Sequence, residues 1–359
     1  MVGRFAPSPT GIMHWGNAST ALVAWLQVRA EGGRMLLRME DVDPQRSKPE
    51  FADGWRRDLT WLGLDWDEEV APQSQRGPRY AEALANLASQ GLVFACRCTR
   101  RDMEEAVSAP HGSFMGSYPG TCADGRWPLD GAGARRLRYP DDAVVLRRAD
   151  GAWAYQLAVV VDDMDQGVTH IVRGRDLEDS APLQGFLHRA LGNSQPPEVA
   201  HAPLWMGPDG HRLSKRHGSV GVRNSGLEAA QAVGRMAHGL GLRDRPDACT
   251  PRELIDDWRA RGPATLACGE VAAASFLPLH YDSIHDRLRP GKCHVRGAPH
   301  LGRNPLAQQP RPRPQPAHAA PLPRTRLDVA QNDWRCGAAR QSRRQHQPRT
   351  GRGPWKHDQ

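Results

Sequence analysis

The run Val2 to Asn17, V-G-R-F-A-P-S-P-T-G-I-M-H-W-G-N, constrains the architecture more than any other stretch. Val2 to Phe5 suits a short buried strand. Pro7 and Pro9 stop it, because proline lacks the N–H that a ladder needs, and Gly11 permits a turn. Ala18 to Ala30 is a helical run that Asn17 or Ser19 can cap. Strand, tight loop and helix N-terminus in that order leave backbone N–H groups free beside small residues, which suits a phosphate. His14 and Gly16 are expected where that phosphate lies, although by spacing alone a histidine before a helix often only caps it or packs on it.

Further strands and helices alternate along the chain, the pattern of an α/β fold. Arg34 to Met39 reads as a second buried strand with Glu40 and Asp41 at its carboxyl end, where open parallel sheets bind ligands. From position alone these acids are better read as solvated strand-end residues. Pro49 to Leu64 carries Phe51, Trp55, Leu59 and Leu62 at helical spacing and ends at Gly63, and Arg79 to Gln90 is a helix closed by Gly91. Val168 to Val172 and Val199 to Leu204 read as strands, Ser180 to Leu191 as a helix. Leu227 to Leu240 and Pro251 to Trp258 are helical patterns.

Between these lies a stretch of different character. Cys96 and Cys98 stand in F-A-C-R-C-T-R, and Cys122 returns in G-S-Y-P-G-T-C. Close thiols with a distant third are the ligand types of a structural zinc site that holds together a segment lacking its own core. The chain's seven cysteines form no even framework, so a reduced compartment with a local metal site fits better than disulfides. Trp127 to Ala149 is expected to be irregular, its Arg135, Arg136, Arg138, Arg147 and Arg148 serving either RNA contact or a solvated surface.

The net charge of +8 misleads as a whole-chain figure. Residues 286–359 hold 16 Lys and Arg against 4 Asp and Glu, leaving 32 against 36 in residues 1–285. That last stretch also carries 11 prolines and reads as a disordered basic tail, with an abrupt bias of the kind an altered reading frame leaves. Apolar runs of about five residues, such as Leu157 to Val161, exclude a membrane helix, and no charged-then-apolar leader opens the chain. A soluble cytoplasmic monomer is the expectation.

Arg4 to Asn17 resembles the HIGH signature region of class I aminoacyl-tRNA synthetases, in the glutamyl variety that opens R-F-A-P-S-P-T-G and continues H-x-G. R-M-E-D at Arg38 to Asp41 is similar to the family's R-[IV]-E-D, and Y-Q-L-A-V-V-V-D-D with G-V-T-H-I-V-R-G is a second match. R-L-S-K-R resembles the KMSKS motif, with Arg212 in place of the first lysine. The likeness covers residues 1 to about 260. It implies a Rossmann-like parallel sheet in two halves, residues 1–95 and 151–220, split by a zinc-binding, acceptor-like insertion at 96–150. A small helical domain at 221–285 precedes the tail, with no anticodon-binding domain.

The resemblance also implies roles. Arg4, Phe5, Ala6, Pro7, Ser8, Glu40, Tyr155 and Arg173 would bind L-glutamate, with Glu40 on its amino group. His14, Gly16, Asn17 and Lys215 would bind ATP with Mg2+, and His14 and Lys215 would stabilise the reacting phosphates. Lys215 would be carried by the mobile loop Arg212, Leu213, Ser214, Lys215 and Arg216. The pattern C-x-C followed by Y-x-x-x-C is similar to the zinc insertion of the family's short glutamyl-Q branch. Cys96, Cys98, Tyr118 and Cys122 would then hold one structural Zn2+, with His111 as the rival to Tyr118. Fewer than 150 residues follow Arg216, short of a full anticodon-reading domain. The implied partner is therefore the anticodon arm of tRNA(Asp) carrying queuosine, with activation independent of tRNA. The alternatives are a truncated glutamyl-tRNA synthetase charging tRNA(Glu) and a non-catalytic tRNA-binding relative.

Overall fold

The computed structural model describes residues 1–99, 102, 118, 120–125, 127–140, 142–206, 221–267 and 270–272. Arg212, Leu213, Ser214, Lys215, Arg216, His111 and the tail 286–359 lie outside the described residues. In chain order the first elements are β1 (Val2–Phe5), α1 (Trp15–Ala30), β2 (Arg34–Leu37), α2 (Pro49–Leu62), β3 (Glu68–Glu69), α3 (Gly77–Ser89) and β4 (Val93–Cys96). They are followed by β5 (Ala134–Tyr139), β6 (Asp142–Arg147), α4 (Tyr155–Asp165), β7 (His170–Gly174), α5 (Ala181–Ala190), β8 (Glu198–Ala202) and β9 (Leu204–Met206). The last are α6 (Ala229–Gly239), α7 (Ile255–Ala267) and β10 (Glu270–Ala272).

Five strands form one parallel sheet in the order β3-β2-β1-β7-β8. The first strand is central, so the loop after β1 opens at the middle of the sheet's carboxyl edge, where α/β folds bind ligands. α1 returns across β1 at very short range: a Cβ on Gly3 would lie 2.2 Å from Val28 Cγ2. Trp15, Leu22, Trp25 and Leu26 are buried, and α1, packed between the sheet and α7, has no exposed residue. Side chains from α6 and α7, including Val233, Met236 and Trp258, belong to the same core cluster as α1. α2 ends at Gly63 in the left-handed region, φ 76°, as its glycine predicts.

α4 is helical despite three consecutive valines, a composition that favours strands. Leu157 to Val161 are buried in a second core cluster with Tyr80, Leu137 and Leu183, and this packing overrides local preference.

The expectation of irregular chain over Trp127 to Ala149 is wrong. β5 and β6 form an antiparallel ladder with β4 as a separate three-stranded sheet. Its arginines behave as flat plates and local tethers. The Arg136 guanidinium lies 4.8 Å from the centre of the Tyr118 ring and donates to Ala143 O at 2.7 Å. Arg138 covers Phe94, Arg147 covers Trp153, and Arg135 donates to the carbonyls of Leu129, Gly131 and Gly133. Cation–π stacking lets a charged side chain cover an aromatic core. Among the described residues no helix is long and apolar enough to cross a membrane.

Candidate active site

A cleft of about 460 Å³ opens beyond the carboxyl ends of β1, β2 and β7. The chain from Arg4 through Phe5, Ala6 and Pro7 to Ser8 forms one wall, and His14, Gly16 and Asn17 form its far end. Glu40 enters from the end of β2, Tyr155 from the start of α4 and Arg173 from β7. Asp41 is not on the wall: its carboxylate accepts from Ser74 N at 2.8 Å and Ser74 Oγ at 2.6 Å. The two neighbouring acids thus have separate fates, because successive residues leaving a strand point in opposite directions.

His14, not Asn17 or Ser19, is the N-cap of α1. The helix begins at Trp15, and His14 Nδ1 accepts from Asn17 N at 3.4 Å. The start is set by packing: Trp15 stacks near Trp205, ring centres 6.1 Å apart, which draws the first turn forward and places Asn17 and Ser19 inside the helix. With Nδ1 accepting, a neutral imidazole carries its proton on Nε2. The ring lies against Gly16, where an added Cβ would meet His14 Cε1 at 3.3 Å.

The opposite end of the cleft is strongly charged. Arg173 donates from Nη1 to Gln184 and from Nε to His201 Nε2, while its Nη2 is buried with no hydrogen-bond partner among the described residues. An unsatisfied guanidinium nitrogen on a cleft wall is a ready donor to a carboxylate. Arg4 spends its Nε on Asp163 Oδ1 at 3.3 Å. Burial pushes the Glu40 carboxyl above its ordinary range, outweighing the opposing pull of Arg38 and Arg4. Burial, reinforced by Glu40, pushes Tyr155 up to about 12, so it stays a neutral hydroxyl.

Sequence reasoning missed the layer behind this wall. Arg38 is fully buried and donates to Asp163 at 2.8 Å, Glu40 at 3.2 Å and Gln166 at 2.7 Å. Asp162 accepts from Gln73, Arg76 and Tyr80. The available signal was a charge inside an apolar run: Arg38 interrupts M-L-L-R-M, and Asp162 and Asp163 follow three valines.

Both sides of segment 207–220, which contains the expected R-L-S-K-R, border the first loop. Leu204 and Trp205 line the cleft on one side. On the other, Val222 N donates to Met13 O at 3.0 Å, one residue from His14.

The sulfurs of Cys96, Cys98 and Cys122 lie within 4.8 Å of one another at the edge of the three-stranded sheet. Cys98 Sγ is 3.9 Å from Cys122 Sγ and 3.8 Å from Tyr118 Oη. Burial and the Cys96 thiol push Cys98 up to about 11.

A parallel sheet with a capped helix N-terminus and a pocket for charged groups at its carboxyl edge defines an α/β protein that takes its ligand at that edge. The profile of the family described as tRNA synthetases class I (E and Q), catalytic domain, matches residues 1–117 and 134–242, and the chain belongs to that family. Its relatives narrow this further. The chain is 44% identical over 324 residues to the glutamyl-Q tRNA(Asp) synthetase of Symbiobacterium thermophilum, a match covering 77% of this chain and 98% of the relative. It is 43% identical over 338 residues to the glutamyl-Q tRNA(Asp) synthetase of Nitratidesulfovibrio vulgaris, covering 80% and 98%. Among solved structures it is similar to a glutamate tRNA ligase from Elizabethkingia meningosepticum in complex with its amino acid, with TM-score 0.61 and 25% identity over 71% of this chain and 64% of that one. A glutamate-tRNA synthetase from Elizabethkingia anophelis gives TM-score 0.62 and 25% identity over 71% and 65%. The chain thus spans just under two thirds of these solved synthetases.

Proposed function

We propose that this chain activates L-glutamate with ATP as glutamyl-adenylate, without tRNA, and transfers the glutamyl group to the queuosine base of tRNA(Asp). The observation that carries this reading is a single cleft in which Arg4, Arg173 and Glu40 face one another beside the His14 end of α1. Glutamate has two carboxylates and one ammonium, the complement of two guanidinium groups and one carboxylate. The names of the relatives supply the acceptor.

In the first step an oxygen of the α-carboxylate attacks the α-phosphorus of ATP and the bond to pyrophosphate breaks. ATP enters as its Mg2+ complex, in which the cation shields the leaving charge. The first turn of α1, whose Trp15 and Gly16 N–H groups are not taken by the His14 cap, would face that charge together with the His14 imidazole, and Lys215 is assigned to it from the other loop. Tyr155, held neutral, can donate to a carboxylate without adding charge. In the second step an acceptor hydroxyl attacks the activated carbonyl and AMP leaves. No protein group becomes covalent, so the rate gain lies in orientation and fixed charge.

Cys96, Cys98, Tyr118 and Cys122 fit a closed zinc site. A tetrahedron with metal–sulfur bonds near 2.3 Å has edges of about 3.8 Å, close to both short separations in the cluster. Bound there, Zn2+ would cross-link β4 to the segment leading into β5, a structural role within the insertion 96–150.

ATP–pyrophosphate exchange with glutamate and without tRNA tests the first step, and transfer of labelled glutamate to tRNA(Asp) with and without queuosine tests the second. Exchange only in the presence of tRNA(Glu) would favour an ordinary glutamyl-tRNA synthetase. No exchange under either condition would favour a non-catalytic binding relative.

A further inference from the structure

Arg38 touches neither the cleft nor solvent, yet it holds both charged poles of the cleft. Its Nη2 donates to Glu40 Oε1 at 3.2 Å and to Asp163 Oδ1 at 2.8 Å. The same Asp163 oxygen accepts from Arg4 Nε at 3.3 Å. One nitrogen therefore sets Glu40 directly and Arg4 through one bridging atom. The third tie, from Nη1 to Gln166 at 2.7 Å, anchors the guanidinium plane to the end of α4.

Stability gives a poor account of this arrangement, because a buried ion cluster is often no more stable than an apolar replacement of the same volume. A rigid relation between an ammonium-binding carboxylate and a carboxylate-binding guanidinium is what recognition of a small zwitterion needs. We propose that Arg38, acting through Asp163 and Glu40, is a positioning residue that sets the spacing between the acidic and basic poles of the amino-acid site. This rests on the glutamate-activating reading above. Arg76 is the internal contrast. It binds the outer side of the same network, donating to Asp162 and Asp165, and reaches neither Glu40 nor Arg4.

The test compares Arg38→Lys, Asp163→Asn and Arg76→Ala with the parent chain in tRNA-independent exchange, alongside thermal melts. Arg38→Lys keeps the charge but not a fork that spans both carboxylates, and Asp163→Asn keeps the shape but not the charge. Each is expected to raise the glutamate KM by about tenfold or more while the ATP KM stays within about twofold. Arg76→Ala is expected to lower the melting temperature and leave the glutamate KM unchanged. A purely structural role would lower melting in all three without a selective change in glutamate KM. If one of the two inner variants does not fold, the other carries the comparison. An unchanged glutamate KM in a folded Arg38→Lys or Asp163→Asn protein overturns the proposal. A parent chain with no glutamate-dependent exchange would instead overturn the reading beneath it.

Discussion

Arg173 donates its Nε–H to Nε2 of His201 across 3.2 Å, so the imidazole must be unprotonated at that nitrogen for the contact to exist. Burial pushes His201 below the ordinary histidine range, Arg173 and Arg175 add to this, and Glu178 and Asp176 oppose it. With a folded pKa below the unfolded value of about 6.5, the unfolded chain takes the proton first. The contact is complete above that value and is lost as pH falls through the lowered one. The glutamate KM in exchange should therefore rise on acidification from about pH 7 to about pH 5, more than the ATP KM does. His201→Gln, whose amide oxygen also accepts, should flatten the profile. A histidine profile that persists in that variant would assign the dependence to another group.

Gly16 is a poor helix residue in the first turn of α1, and its ordinary replacement is alanine. Gly16→Ala should raise helix stability by up to about 1 kcal/mol. The added Cβ would nonetheless sit 3.3 Å from His14 Cε1 and 3.4 Å from His14 Nδ1 and push the ring from its cap position. The expected result is a variant that melts close to the parent, the lost cap offsetting the gained propensity, and exchanges about tenfold more slowly. Exchange at the parental rate would mean that the ring position is immaterial.

The parallel sheet was legible from apolar runs alternating with helical patterns, but the meeting of Arg4, Glu40, Tyr155 and Arg173 in one cleft was legible only through the family's motifs, since position alone makes Glu40 a solvated strand-end acid. His14 as cap was not, since the helix start depends on Trp15 meeting Trp205, a contact made across 190 residues. The arginine-rich hairpin was not, because β propensity counts arginine as a surface residue and cannot foresee that Tyr118, Phe94 and Trp153 will give it a ring to lie on. Arg38 was visible as a charge in an apolar strand and as the first residue of R-M-E-D, but with no role attached to it. Its partners Asp163 and Gln166 lie at the end of α4, more than a hundred residues later, and pairing at that distance leaves no local trace.

Lys215 follows β9, whose Leu204 and Trp205 line the cleft, and precedes Val222, which is bonded to Met13. Both ends of the segment that carries Lys215 therefore lie beside the cleft. Lys215→Ala should slow adenylate formation by about a hundredfold or more, on the order of 3 kcal/mol, with little change in glutamate KM. Single-turnover exchange separates the two effects, and near-parental kcat would remove this side chain from the charge-stabilising role.

Metal content gives the last prediction its direct readout: protein purified without chelator should carry about one zinc per chain. Cys96 and Cys122 are buried and Cys98 is partly exposed, so Cys98→Ser is the variant least confounded by packing. It should lose zinc and destabilise the insertion, whose small cluster around Phe94, Cys96, Cys122 and Ala143 is too slight to hold it. The amino-acid cleft takes its walls from other elements, so tRNA-independent exchange should persist within a few-fold. On the reading of the insertion as the acceptor-contacting segment, transfer to tRNA(Asp) should fall much further. Loss of both steps in parallel would mean that the metal supports the catalytic sheet itself. Zinc-free protein with parental melting and parental transfer would leave the thiol cluster without a metal-holding role.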